Sequence, residues 1–256
     1  MVKLSVVIIT HTEQRNIERC LESLYGIASE VVVVDSGSTD ETEEICHQHH
    51  VNFVHHPWEG FSAQKNFAET LATGEWILSL DADEAVSDSL FDSIIKLLAD
   101  GPREGEAYCF NRLTNFCGHW VRHCGWYPDT KVRLWQRGTA RWEGEVHEQL
   151  VHNRPTITVH LKGDLLHYSY YTLDQFAQRQ ADYYRLAAQE AYDRGKRCGA
   201  TALWLRPLWR FIRDYLFRGG FLDGVAGLTI CHMNAHYTFM KYALLREKTN
   251  SQPPIN

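Results

Sequence analysis

No apolar run in these 256 residues reaches the ~20 needed to span a bilayer, because Arg, Asp and His break every apolar stretch near the C-terminus. A membrane-crossing helix is therefore not expected. The first residues enter a strand pattern directly, so no targeting leader is read. The seven cysteines are odd in number, irregularly spaced and without a Cys-x2-Cys pair. That disfavours a disulfide framework or a paired zinc site and reads as reduced thiols in a cytoplasmic protein. Cys117, His119, His123 and Cys124 suit zinc in type but not in spacing. The HQHH run near residue 47, with His55 and His56, reads as a polar helix face and a strand end. No G-x-G-x-x-G follows the first strand pattern, which disfavours a dinucleotide-dependent oxidoreductase. Internal repeats, low-complexity linkers and basic tails are all missing, and a net charge of −6 argues against nucleic acid as a partner.

What charge there is lies unevenly. From Ala200 to Asn256 seven Lys or Arg face three Asp or Glu, so the acidic excess belongs to the preceding residues. The basic end suggests an anionic surface as partner. The chain is long enough to bury a large core, and its length fits one large domain with an appendage.

The runs LSVVIIT (4–10), EVVVVD (30–35), VNFVHH (51–56) and EWILSLD (75–81) are continuous and apolar or β-branched, as buried strands are. Between them, NIERCLESLYG, TDETEEICHQHH and SAQKNFAETLATG read as helices, the first stopped by Gly26 and the last by Gly74. A further helix follows at 88–100. Four β–α units in about 85 residues imply an α/β fold with a mainly parallel sheet covered on both faces. Residues 106–168 alternate β-like runs (AYCFNRL, KVRLWQ, TITVHL, DLLHYS) with Gly- and aromatic-rich loops. From Thr172 the chain is helical through Gly195, with two more helices near 200–217 and 221–246 and a frayed tail. The reading is a domain over 1–170, with nucleotide binding in 1–100 and the acceptor and catalytic part in 101–170. A helical extension covers 171–248 and a tail 249–256.

In an open parallel sheet, ligands bind where loops leave the carboxyl ends of the strands. Asp35 and Asp81 stand at such ends. VVVVDSGSTDET places Asp35 before a turn containing Gly37, which suits nucleoside hydrogen bonds and equally suits a plain turn with an N-cap. LSLDADE is more specific: a buried strand runs straight into Asp81, Ala82, Asp83 and Glu84. Paired carboxylates are the hard ligands that Mg²⁺ or Mn²⁺ prefers, usually completed by water and substrate phosphates.

SVVIITHTEQ, VVVVDSGSTDET, GFSAQKN and LSLDADE, in this order and spacing, resemble the nucleotide-binding half of the inverting family-2 glycosyltransferases with the GT-A fold. By this resemblance Thr10, His11 and Glu13 of the first loop, with Asp35 and Gly37, hold the nucleoside of a sugar donor. Lys65 and Asn66 lie near the donor, Asp81 and Ala82 meet the ribose or metal, and Asp83 is a metal ligand. The first loop departs from the common Tyr-Asn-Glu version. WEGEVHEQL resembles the Val-His-Glu motif of lipopolysaccharide-core transferases and implies Glu148 or Glu145 as the base and His147 at the metal or diphosphate. In GWYPDTKVRLWQRG, Asp129 and Arg133 suit a sugar acceptor or phosphate, and equally suit bracing a strand.

The resemblance extends to the C-terminal region of the core glucosyltransferases. It implies UDP-hexose, UDP-glucose by preference, as donor and a lipid-linked saccharide, the inner-core heptose, as acceptor. A polyprenyl-phosphate or peptide acceptor is the nearest alternative, and an inactive nucleotide-sugar-binding scaffold is one of another class. Arg206, Arg210 and Arg213, spaced i, i+4 and i+7 beside Trp204, Trp209 and Phe211, predict an interfacial helix on the inner face of an anionic membrane, or else a helix packed on the domain. The expected location is cytoplasmic and peripheral on that membrane.

Overall fold

The apolar runs form β1 (Leu4–Thr10), β2 (Glu30–Asp35), β3 (Asn52–His55) and β4 (Trp76–Asp81), ordered β3-β2-β1-β4 and all parallel. Thr10 lies opposite Asp35 and Ile9 opposite Asp81, so the carboxyl ends of three strands finish at one edge. Alternation along β1 sends Leu4, Val6 and Ile8 to one face. There they meet α1 (Ile17–Glu22) through Ile17 and Leu21, and α4 (Asp88–Asp100) through Leu90 and Ile94. Val7 points the other way, with Val32, Val34 and Ile77, to Ala68 of α3 (Phe61–Leu71). α2 (Thr42–Gln48) adds Cys46 to the first face. This computed structural model describes residues 2–144 and 148–251.

Beyond β4 the sheet turns antiparallel. β5 (Glu84–Val86), β6 (Glu106–Phe116), β7 (His119–Val121), β8 (Asp129–Gln136) and β11 (Ile157–Tyr170) extend the order as β4-β8-β6-β11-β5, with β7 on β6. β9 (Ala140–Glu143) and β10 (Gln149–His152) form a separate antiparallel pair. TITVHL and DLLHYS, expected as two runs, are one strand that passes through Gly163. α1 stops at Glu22, and turns carry the chain on to Gly26.

The chain divides into two compact units, Met1–Leu113 with Asp129–Tyr168, and Thr114–Pro128 with Ser169–Asn256. In the second, α5 (Leu173–Asp193) starts on a Thr172–Gln175 capping box, followed by α6 (Ala202–Ile212) and α7 (Gly224–Ser251). A π turn at Arg213–Phe217 continues α6 to the end expected for a helix over 200–217, and a 3-10 turn at Gly220–Asp223 leads into α7. Gly219, with φ +65°, makes the bend. Two buried carboxylates hold it. Asp214 receives Arg210 Nε at 2.5 Å, Arg213 Nε at 2.9 Å and Arg218 Nη1 at 3.3 Å. Asp223 receives the His123 backbone N–H at 2.8 Å and lies 3.0 Å from His123 Nδ1 and 3.4 Å from His119 Nε2. Burial alone would raise the Asp223 pKa, but these hydrogen bonds lower it. The arginine stripe is therefore not wholly free for lipid: Arg210 and Arg213 hold Asp214, Arg206 lies over the Tyr242 ring at 4.2 Å, and Phe211 packs on the local core. Among the described residues no helix is long and apolar enough to cross a membrane.

Candidate donor and catalytic site

At the end of β1, Thr10 is buried and its hydroxyl has no hydrogen-bond partner among the described residues, while His11 is exposed. The loop after it is tied to the turn after β2: Thr12 N–H donates to Ser38 Oγ at 2.7 Å and Glu13 N–H to Thr42 Oγ1 at 2.9 Å. The Glu13 carboxylate accepts from Asn16 Nδ2 at 2.7 Å. Asp35 organises its own turn. Its carboxylate accepts the N–H groups of Gly37 at 2.8 Å and Ser38 at 2.9 Å and the Ser38 hydroxyl, and lies 3.1 Å from His55 Nδ1. Gly37 can close this turn because its φ is +97°. With no exposed surface on the Asp35 side chain, the turn-forming role that the sequence also allowed is the one whose contacts are present.

At the end of β4 the charges alternate. Asp129 Oδ2 meets Arg112 Nη2 at 2.8 Å, Arg112 Nη1 lies 3.6 Å from Glu84 Oε1, and Glu84 Oε1 is 2.9 Å from Arg133 Nη2. Arg133 Nη2 is 2.8 Å from Asp81 Oδ2, Lys65 Nζ is 2.9 Å from Asp81 Oδ1, and the same ammonium is 3.3 Å from Glu148 Oε1. Seven side chains, two of them from β8, thus form one chain of opposite charges. Lys65, Glu84 and Arg133 are buried within it, where an unpaired ion would be very costly. Burial would push the Asp81 carboxyl up, but the Arg133 and Lys65 cations beside it hold it well below the usual carboxylate range. Arg133 would be lowered by burial, and Glu84 and Asp81 raise it instead, so it keeps its charge. The nearby Cys20 thiol is driven up first by burial and then by Glu84, Asp83 and Asp81, which makes it a neutral core group and not a nucleophile.

α3 carries more than Lys65. Asn66 Nδ2 donates to the Trp142 carbonyl at 2.9 Å, and Trp142 N–H returns to Asn66 Oδ1 at 2.8 Å. The Ser62 hydroxyl donates to the Gly144 carbonyl at 2.6 Å. These bonds pin β9 to α3 and hold the Trp142 ring 4.6 Å from Lys65 Nζ. Asn66 therefore lies beside the charged chain as a clamp on β9.

Asp83, like Asp81, is half-buried. Its Oδ2 lies 3.2 Å from His167 Nε2 and its carbonyl accepts Tyr168 N–H at 2.9 Å. Sequence reasoning missed His167. It stands opposite Glu84 in the β5–β11 ladder, and only that pairing brings it to the DAD segment. Carboxylate oxygen and imidazole nitrogen together fit Mn²⁺ or Mg²⁺, which needs only one or two side chains when water and phosphates complete the shell. Among the described residues no group of three or more His, Cys, Asp or Glu gathers as metal ligands. Both oxygens of Asp81 already face cations, and Ala82 is buried in the core between the two carboxylates. Arg133, buried between Asp81 and Glu84, braces the strand ends, while Asp129 is held by Arg112 and by Lys131 at 3.0 Å. Glu145 and His147 lie outside the described residues.

The profile of the family described as "Glycosyl transferase family 2" matches residues 5–148. An "Uncharacterized glycosyltransferase" of Rickettsia felis is 30% identical over 256 residues, which span 96% of this chain and 90% of that one. The "Lipopolysaccharide core biosynthesis glycosyltransferase LpsC" of Rhizobium meliloti is 29% identical over 257 residues, spanning 96% and 92%. Among solved structures, S. aureus TarS 1-349 aligns with a TM-score of 0.47 at 14% identity, covering 100% of this chain and 93% of that one.

Proposed function

The chain belongs to glycosyl transferase family 2, with the GT-A fold, and from that premise we propose that it moves a hexose from a UDP-linked donor to a lipopolysaccharide inner-core heptose with inversion at the anomeric carbon. The observation that carries this reading is Lys65, buried between Asp81 and Glu148 at the end of β4. An inverting displacement needs a base on the acceptor side and positive charge where the diphosphate departs. Glu148 is the base in this reading, with Glu145 the competing assignment. Lys65 supplies the positive charge and also orients Glu148. Arg133 is a positioning residue: it fixes Asp81, and through Asp81 it fixes Lys65. The loop at Thr10, His11 and Glu13 and the turn shaped by Asp35 and Gly37 take the nucleoside.

Asp83 and His167 are the side chains that would hold Mg²⁺ or Mn²⁺, with His147 a further candidate ligand. When bound, such an ion offsets charge on the nucleotide diphosphate. UDP-glucose is the preferred donor, by the family resemblance. The inner-core acceptor is supported by similarity to LpsC, a protein named for lipopolysaccharide core biosynthesis. This acceptor is lipid-linked, so the encounter takes place at the inner face of an anionic membrane.

Purified protein incubated with a panel of UDP-sugars, with and without divalent metal, tests the donor side by UDP release, and UDP-glucose should give the highest rate. A strain lacking the gene should accumulate lipopolysaccharide truncated in the inner core. Unchanged lipopolysaccharide would remove the acceptor assignment.

A further inference from the structure

The second unit carries a surface that the transfer reaction does not use. Along α6, Trp204, Leu205, Leu208 and Trp209 are all exposed, Trp204 by 80%. At 3.6 residues per turn they share an arc of roughly 140°. At the edge of this arc the helix turns inward: Phe211 stacks on Tyr215 at 5.3 Å and meets the His232 ring of α7 at 6.0 Å. The apolar surface continues into the π turn, with Phe217 73% exposed and in ring contact with Trp209 at 5.9 Å. Burying such side chains in water-excluding surroundings is worth ~25 cal/mol per Å², so leaving them in solvent calls for a partner.

The flank of this face is basic. Arg206 borders the arc, while Arg210, Arg213 and Arg218 converge on the buried Asp214. Three guanidiniums on one carboxylate leave an excess of two positive charges, and five N–H donors per guanidinium exceed what a single carboxylate accepts. Asp214, wholly buried, sets where these forks sit. The whole segment from Ala200 onward carries seven cations against three anions.

We propose that the outer face of α6, with Phe217, docks this protein on an anionic lipid bilayer, Trp, Leu and Phe entering the headgroup boundary while the Asp214-held arginines meet lipid phosphates. Charge favours lipid over a second copy of the chain. A two-fold interface built on this patch would bring one basic cluster toward its own copy. The inference rests on the surface of the second unit alone and does not depend on the transferase reading.

The test is co-sedimentation of the full chain with vesicles of phosphatidylcholine alone and with vesicles containing phosphatidylglycerol. Wild type should partition at least ~10-fold better onto the anionic vesicles at low salt, and added salt should reverse this. The exposed-residue variant Trp204→Ser/Trp209→Ser/Phe217→Ser should lose vesicle binding while its circular dichroism and its UDP release with a soluble acceptor fragment stay as in wild type. Equal partition onto both vesicles, or unchanged binding of the variant, would overturn the proposal. So would a stable wild-type dimer in analytical ultracentrifugation that the variant abolishes. Because UDP release is read separately, loss of the transferase reading and loss of this one give different results.

Discussion

Asp81 is the residue on which the site's electrostatics turn, since both of its oxygens face cations that are themselves buried. Replacing Arg133 by Met keeps volume but leaves Asp81 and Glu84 short of a partner, and breaking a buried pair in this way costs ~3–5 kcal/mol. Because the folded Asp81 pKa lies below its unfolded value, its stabilising effect is complete above about pH 4 and is lost as the pH falls toward the folded value. The stability gap between wild type and Arg133→Met should therefore be widest at neutral pH and narrow below about pH 4. Urea unfolding across that range checks this, and a gap independent of pH would count against it. For transfer itself, with Asp83 holding the metal as proposed, Asp83→Ala should lose several kcal/mol of charge stabilisation and the rate should fall roughly 10²–10³-fold while the fold persists. Glu148→Gln keeps the shape of the base but not its basicity, so kcat should drop by ~10²–10⁴ with donor affinity retained. If Glu145→Gln proves the more damaging, the two exchange roles.

At the scale of elements, what the sequence makes readable is what local pattern decides. The apolar runs of β1, β2 and β4 and the acidic residues after them stand out because a buried parallel strand must be apolar throughout and must end where the polar loop begins. His167 does not stand out, and Arg133 reads as an acceptor-side or strand-bracing residue but not as the link between Asp81 and Glu84. Their roles come from β8 pairing with β4 and β11 pairing with β5, contacts between residues 52 or more apart that no local periodicity encodes. The short β5 escaped for the same reason, and Asn66 was readable as a donor-side residue but not as the clamp on β9. Gly163 was read as a gap between two runs, whereas it lets one strand pass α4. Its φ is +109°, and a Cβ there would lie 2.6 Å from Leu90 Cα. Gly163→Ala should thus cost about 3 kcal/mol through strain and overpacking, and should also lower transfer by disturbing His167 four residues on. Thermal unfolding together with UDP release measures both, and an unchanged Tm would show that β11 yields without cost.

For the whole molecule, the division of charge matches a division of labour: an acidic transferase unit built around a neutralised carboxylate site, and a basic helical unit with an apolar face. The helices were readable from their periodicity, but the Asp214 cluster was not, because its three arginines read equally well as a lipid-facing stripe. The central claim concerns the first unit: Lys65 and Asp83 at the end of β4 make it a donor site for an inverting transfer. It is tested most directly by incubating wild type and Asp83→Ala with UDP-glucose, divalent metal and heptose-terminated lipopolysaccharide, and reading the new glycosidic linkage by NMR. The account predicts a β-linked hexose from the α-linked donor with wild type and roughly 10²–10³-fold less with the variant. An α-linked product, or equal product from both proteins, would contradict it.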